Sequence, residues 1–199
     1  MHIRKTLIGT VGGFIVLVAL VLGLAACGSQ GEAVGDTQHT EPAVQHDGAD
    51  RNGIYACVVG SAHRQRESLN SAVVTAIDRS ELHAVFMSTS NDESQHRAVE
   101  DCLDRNLRIV VLIADQPKGW EQTLQQTRRI GIPVVLVDSS ITPDDHSLYA
   151  AHLKTVSDER IAQESRHTSI YNIGDALMDV VDDAPHPRTM KVRLGTTVE

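Results

Sequence analysis

Ile109-Val110-Val111-Leu112-Ile113, the stretch Lys118 to Ile130, and Val134-Val135-Leu136-Val137 together decide the fold. The two outer pieces are uninterrupted apolar runs, which suit strands buried on both faces. The middle piece reads as a helix, with Gly131 as its C′ residue and Pro133 beyond it as a stop. A strand, a helix and a second buried strand in succession make a βαβ unit, whose strands are parallel and whose crossover is right-handed.

The same alternation extends in both directions. Upstream, Tyr55-Ala56-Cys57-Val58-Val59 is a buried strand, and Arg66 to Glu81 a helix with Leu69, Val73, Ala76 and Ile77 on one face. Ala84 to Met87 is a strand, and Asp92 to Asn106 a helix that turns Ala98, Val99, Cys102 and Leu103 inward. Downstream, Leu148 to Leu153 is a fifth strand. A helix from about Asp158 carries Ile173, Ala176, Leu177, Val180 and Val181, and Met190 to Leu194 is a short last strand. The expected fold class is therefore α/β: a doubly wound parallel sheet in a single lobe over residues 53–199. Ligands of such sheets sit beyond the carboxyl ends of the strands. Here those ends lead into Gly60–Arg66, Ser88–Asp92, Ala114–Lys118 and Asp138–Asp145.

The residues before this lobe have another purpose. His2-Ile3-Arg4-Lys5 is basic, Leu7 to Ala26 carries no charge, and Leu24-Ala25-Ala26 precedes Cys27. A basic start, an apolar middle and small residues before a cut describe a secretory signal peptide, residues 1–26. Leu24-Ala25-Ala26-Cys27 resembles the lipobox of bacterial lipoproteins, a resemblance that implies lipid attachment at Cys27. The competing reading is an uncleaved membrane-spanning helix, but Gly9, Gly12, Gly13 and Gly23 dilute the run. Either way the lobe lies outside the cytoplasm, at the outer face of the cell membrane. Residues 27–52 hold no apolar periodicity and are expected to be a disordered tether. As a flexible coil its residues 28–52 reach about 25–30 Å on average. His39 and His46 within it are too solvated to make a metal site.

Charge and composition narrow the function. Eighteen basic residues against 26 acidic ones give −8. Cleavage before Cys27 removes two basic residues and no acidic one, taking the charge to −10. No basic face for nucleic acid is implied, and an acidic lobe is repelled from an anionic lipid surface beyond its anchor. No Gly-x-Gly-x-x-Gly or Walker loop occurs, Gly60-Ser61 lacks the hydrolase elbow pattern, and no His-Glu-x-x-His spacing is present. The expectation is a binding protein with no catalytic residues, no cofactor and no metal. Pro143-Asp144-Asp145 reads as a turn, and Trp120 as packing its helix start against the sheet.

The ordered series Gly119-Trp120-Glu121, Gly131 to Asp138, and Asp144-Asp145-His146-Ser147-Leu148-Tyr149 resembles the N-terminal lobe of type I periplasmic sugar-binding proteins. The ribose and galactofuranose receptors of ABC importers are the most similar group. The resemblance runs from about Ile54 to Ile161, and more weakly to Glu199. It implies a receptor that hands a pentose or hexose to permease subunits. In that group the loop after the first strand carries a Trp-Arg pair; here the positions are Gln65 and Arg66. The Asp expected after the second strand is replaced in Ser88-Thr89-Ser90-Asn91, the third loop, Ala114-Asp115-Gln116, is shortened, and Asp138-Ser139 keeps the aspartate of an Asp-Arg pair. The expected ligand-binding residues are Arg66, Asp138, Gln65, Ser61 and Asp115. The planar fork of Arg66 suits paired hydroxyls.

Such receptors close two lobes on their sugar, and this chain has room for one. Weak binding is the expectation, since one lobe leaves the ligand half exposed. A homodimer of lobes would imitate the two-lobed receptor. The alternative is a degenerate surface lipoprotein whose lobe contacts a protein partner. Cys57 and Cys102 remain as thiols. With strand order 2-1-3 the second helix lies over the first strand and the two meet, and an extracytoplasmic location permits a disulfide. Two inert buried thiols are the favoured expectation.

Overall fold

A computed structural model describes residues 33–36, 49–105, 107–116, 119–140, 143–157, 160–161 and 169–195. The expected signal segment 1–26, Cys27, His39 and His46 lie outside the described residues. Seven strands form one all-parallel sheet: β1 (Tyr55–Val59), β2 (His83–Met87), β3 (Ile109–Leu112), β4 (Val134–Val137), β5 (Ala151–Thr155), β6 (Ile170–Asn172) and β7 (Thr189–Arg193). Their order is β2-β1-β3-β4-β5-β7-β6, so the expected doubly wound α/β class holds, with the 2-1-3-4-5 order of flavodoxin-like sheets.

Helices cover both faces. Helix α1 (Glu67–Arg79) and helix α4 (Ile173–Val181) lie on one, α2 (Asp92–Asp104) and α3 (Glu121–Ile130) on the other. Alternate residues of each central strand feed opposite cores. Val58, Val111 and Val135 pack with Val73 and Ile77 of α1. Cys57, Val110 and Val134 pack with Val99 and Cys102 of α2. Every residue of β3 and β4 is buried, which is why their sequences run apolar without alternation.

Local chemistry explains the boundaries. Helix α2 begins with a capping box: Asn91 Oδ1 accepts from the Ser94 amide (2.8 Å), and Ser94 Oγ accepts from the Asn91 amide (3.0 Å). Helix α3 starts at Glu121, later than expected, because Gly119 takes φ 88° in the left-handed region and a helix cannot pass through it. It ends on Gly131 at φ 80°, as the sequence predicts. Strand β5 is shifted to Ala151–Thr155, because Leu148 belongs to a 3-10 turn, His146–Leu148, capped by Asp145. The predicted continuous helix from Asp158 is interrupted within its length, and its C-terminal part alone is the helix Ile173–Val181. Ile170–Asn172 is a strand, and Asn172 Oδ1 accepts from the Gly174 amide (2.8 Å) to start α4 at Ile173.

Two further findings differ from expectation. Cys57 and Cys102 form a disulfide (Cα–Cα 6.0 Å), where inert thiols were favoured; α2 lies over β1 and brings the pair together. Within the expected tether, Ala33–Asp36 docks on the lobe. His186 Nε2 meets the Gly35 carbonyl at 2.7 Å, Arg188 binds the Asp36 carboxylate, and Gly35 (φ 77°) fits where a Cβ would lie 2.7 Å from the Val180 carbonyl. Arg51 at its other end pairs with Asp175 of α4 (2.6 Å).

Candidate functional site

Helix α1 leaves β1 toward one face and α3 leaves β3 toward the other, so a crevice opens between the carboxyl ends of β1 and β3. Asp115, just after β3, sits there with its side chain fully buried. A buried carboxylate needs hydrogen-bond donors on both oxygens. Oδ1 accepts from Ser61 Oγ (2.5 Å) and Oδ2 from the Ala62 amide (2.7 Å). Arg66 supplies the countercharge, Nη1 lying 3.5 Å from Oδ1. The loops after β1 and β3 are thus tied by one charge-assisted knot.

Arg66 also reaches the fourth loop. Its Nη1 donates to the Ala114 carbonyl (3.3 Å) and its Nη2 to the Asp138 carbonyl. Ser140 completes the join, its amide donating to the Ala114 carbonyl (3.1 Å) and its hydroxyl to the Asp115 carbonyl (2.5 Å). The Asp138 carboxylate turns the other way and accepts from the amide (3.0 Å) and the hydroxyl of Thr155 at the end of β5. Asp138 holds φ 38°, a left-handed conformation that aspartate tolerates better than most residues. Of the five predicted ligand residues, Ser61, Arg66 and Asp115 come together directly. Asp138 joins them through its backbone, and Gln65 is exposed outside the network.

Two supporting residues were missed. Asn70 of α1 accepts from the Ser61 amide (2.9 Å) and donates to the Ser61 carbonyl (3.0 Å). Gln95 of α2, fully buried, donates to the Gly60 (2.7 Å) and Ile113 (3.0 Å) carbonyls. Both had a legible signal. Gln95 stands three, four and seven residues before Ala98, Val99 and Cys102, and Asn70 three and seven before Val73 and Ile77. A polar residue on an apolar helical stripe implies a buried hydrogen-bonding task.

Nearby residues are structural. Trp120 is 2% exposed, as expected of a packing residue; its Nε1 donates to the Gln116 carbonyl (3.1 Å) and His96 lies against it at 4.0 Å. Asp145 accepts from both the amide and hydroxyl of Ser147, bonds that hold its carboxyl below the usual value. No group of three or more metal-ligating side chains occurs among the described residues.

The knot carries a measurable cost when broken. Asp115→Asn leaves Arg66 without its buried countercharge, and we expect it to lower unfolding stability by about 2 kcal/mol. Urea denaturation checks this; a midpoint equal to the parent's would mean that the Asp115 charge is idle.

No family model matches the chain, and no curated protein matches it. Solved structures similar to it include a galactofuranose-binding protein, at 16% identity and TM-score 0.47, covering 69% of this chain and 56% of that one. A protein from Mycobacterium smegmatis in complex with β-D-fucofuranose is similar at 16% identity and TM-score 0.46, covering 70% and 54%. The periplasmic binding component of the arabinose ABC transporter of Shewanella sp. ANA-3, bound to L-arabinofuranose, is similar at 19% identity and TM-score 0.43, covering 71% and 55%. The chain spans about half the length of these structures.

Proposed function

We propose that this chain is a lipid-anchored extracytoplasmic solute-binding lobe of the sugar-receptor type, a weak binder that holds a pentose or hexose and serves ABC permease subunits. The observation that carries this reading is the polar knot of Ser61, Arg66 and Asp115, which gathers three loops at the switch point of the sheet. A doubly wound sheet exposes its ligand crevice there, and a pre-tied knot lowers the entropy cost of binding. The Cys57–Cys102 disulfide supports the extracytoplasmic reading, because such bonds persist in oxidising compartments. Lipid attachment at Cys27 follows from the Leu-Ala-Ala-Cys sequence, and a mass increase on the mature N-terminus tests it. The sugar-receptor motif series favours binding over catalysis.

One observation favours the alternative, a surface lipoprotein that meets a protein partner. The Asp138 carboxylate is already held by Thr155, and Arg66 already serves two carbonyls. Calorimetry with D-galactose, L-arabinose and D-ribose separates the two. The sugar reading expects heat with a Kd of about a millimolar, as suits a ligand covered from one side. No heat from any of the three at that level sinks it and leaves the protein-contact reading.

A further inference from the structure

The segment Ala33–Asp36 is fastened to the lobe at the end where the strands begin. It meets Pro133, just before β4, Val180 in the last turn of α4, and His186 and Arg188, just before β7. The crevice of the Arg66–Asp115 knot lies at the opposite ends of the strands. The seat fits this segment closely. The Asp36 side chain is 5% exposed and accepts from Arg188. Arg188 Nη1 is held in turn by the His146 (2.8 Å) and Tyr149 (3.2 Å) carbonyls, and the guanidinium lies 5.3 Å from the centre of the Tyr149 ring. Removing one partner of such a buried pair leaves a charge without compensation. The Asp36 amide donates back to the Ala33 carbonyl (3.1 Å), so the segment is a turn. At Gly35 a Cβ would also lie 2.8 Å from Val180 Cγ1, so only glycine seats the turn. The chain is fastened again at the same end of the lobe, where the Ala49 amide donates to the Asp182 carboxylate (3.0 Å) just past α4.

Chain length decides what this seat does. Cys27 and Ala33 are six residues apart, and Cys27 and Ala49 are 22 apart. Fully extended, the first interval spans at most about 20 Å and the second about 75 Å. A lobe of about 150 residues has a radius of gyration of about 15 Å, hence a diameter of about 38 Å. An anchor chain attached where the strands begin has to run the length of the lobe before the crevice can face the membrane. Six residues cannot span that length, and 22 can.

We propose that Ala33–Asp36 is a strap that sets the length of the membrane leash. Docked, it holds the strand-start end of the lobe toward the membrane and the crevice away from it; undocked, it frees enough chain for the crevice to turn to the membrane. The inference rests on lipid attachment at Cys27. The test uses the lipidated chain in phosphatidylcholine vesicles that carry a rhodamine-labelled lipid as energy acceptor. A donor dye is placed at Arg129→Cys, near the end of α3 on the strand-start side, or at Ser88→Cys, just after β2 on the crevice side. Transfer to the bilayer should be much stronger from position 129 than from position 88. Gly35→Val combined with Asp36→Ala, both changes confined to the strap, should remove most of that difference, with amide exchange at residues 33–36 showing that the strap is released. Equal transfer from the two positions in the parent, or an excess from position 88, overturns the inference and leaves lipid anchoring standing. A difference that survives in a released strap overturns the role of the strap. A chain that lacks the lipid mass and does not float with the vesicles overturns this inference and lipid anchoring together.

Discussion

Reduction of the Cys57–Cys102 disulfide is expected to lower the unfolding free energy by about 4 kcal/mol, the chain-entropy figure for a closed loop of this length. The cross-link joins residues 45 apart. The loop it closes contains α1, β2 and most of α2, so in the unfolded chain it restrains almost a third of the lobe. It also joins the central strand β1 to its covering helix, and both sulfurs are buried. Free thiols left in place would still pack as small apolar groups, so reduction itself opens no cavity and the loss comes mainly from the freed unfolded state. Urea unfolding of oxidised protein against protein held in reductant checks this. The reduced sample should unfold at a clearly lower urea concentration; coincident transitions would show that the bond contributes nothing. For a marginally stable domain a loss of this size is a large part of the total, so the lobe's persistence depends on the redox state of its compartment.

The difference between what the sequence makes legible and what it hides follows from range. The strands β1, β3 and β4 are legible because burial on both faces demands continuous apolar side chains, a pattern contained in five residues or fewer. The C-terminus of α3 is legible for the same reason: Gly131 alone supplies the left-handed residue. The insertion of β7 between β5 and β6 is not, because Lys191 pairs with both Lys154 and Ile170 through contacts that no local pattern records. The site divides along the same line. Its location follows from topology, which puts Ser61 and Asp115 just past strand ends, whereas Arg66 is singled out by the resemblance to a Trp-Arg pair. The direction in which Asp138 faces is decided by Thr155, seventeen residues on and on a different strand. Phe86 reads locally as one more apolar strand residue, and only its packing over Gly60 reveals that its ring stays half uncovered.

Stability should also fall as the medium is acidified from pH 6.5 toward 4, and His152 is the reason. It lies on β5, between Leu136 of β4 and Thr189 of β7, and is only 6% exposed. Its Nε2 is buried without a hydrogen-bond partner among the described residues. Burial is the main cause that pushes its pKa from 6.5 down to about 4; the Lys154 cation acts in the same direction, and the Asp138 carboxylate opposes them. In the unfolded chain the imidazole takes a proton near pH 6.5, while the folded lobe refuses it until about pH 4. Between those values the unfolded state binds more protons, so stability drops as pH falls and is fully kept above 6.5. The ceiling of this effect is about 3 kcal/mol, since each tenfold change in proton affinity is worth about 1.36 kcal/mol. Asp179 on α4 works the other way: burial raises its carboxyl pKa, so protonation there favours the folded state in acid. Asp179 titrates identically in a variant altered only at His152, so the comparison cancels it. Urea midpoints at pH 7.5 and 4.5 for the parent and for His152→Leu isolate the effect. The parent should lose stability over that interval and the leucine variant should lose distinctly less. Equal losses would mean that the imidazole is protonated in the folded lobe as readily as in water.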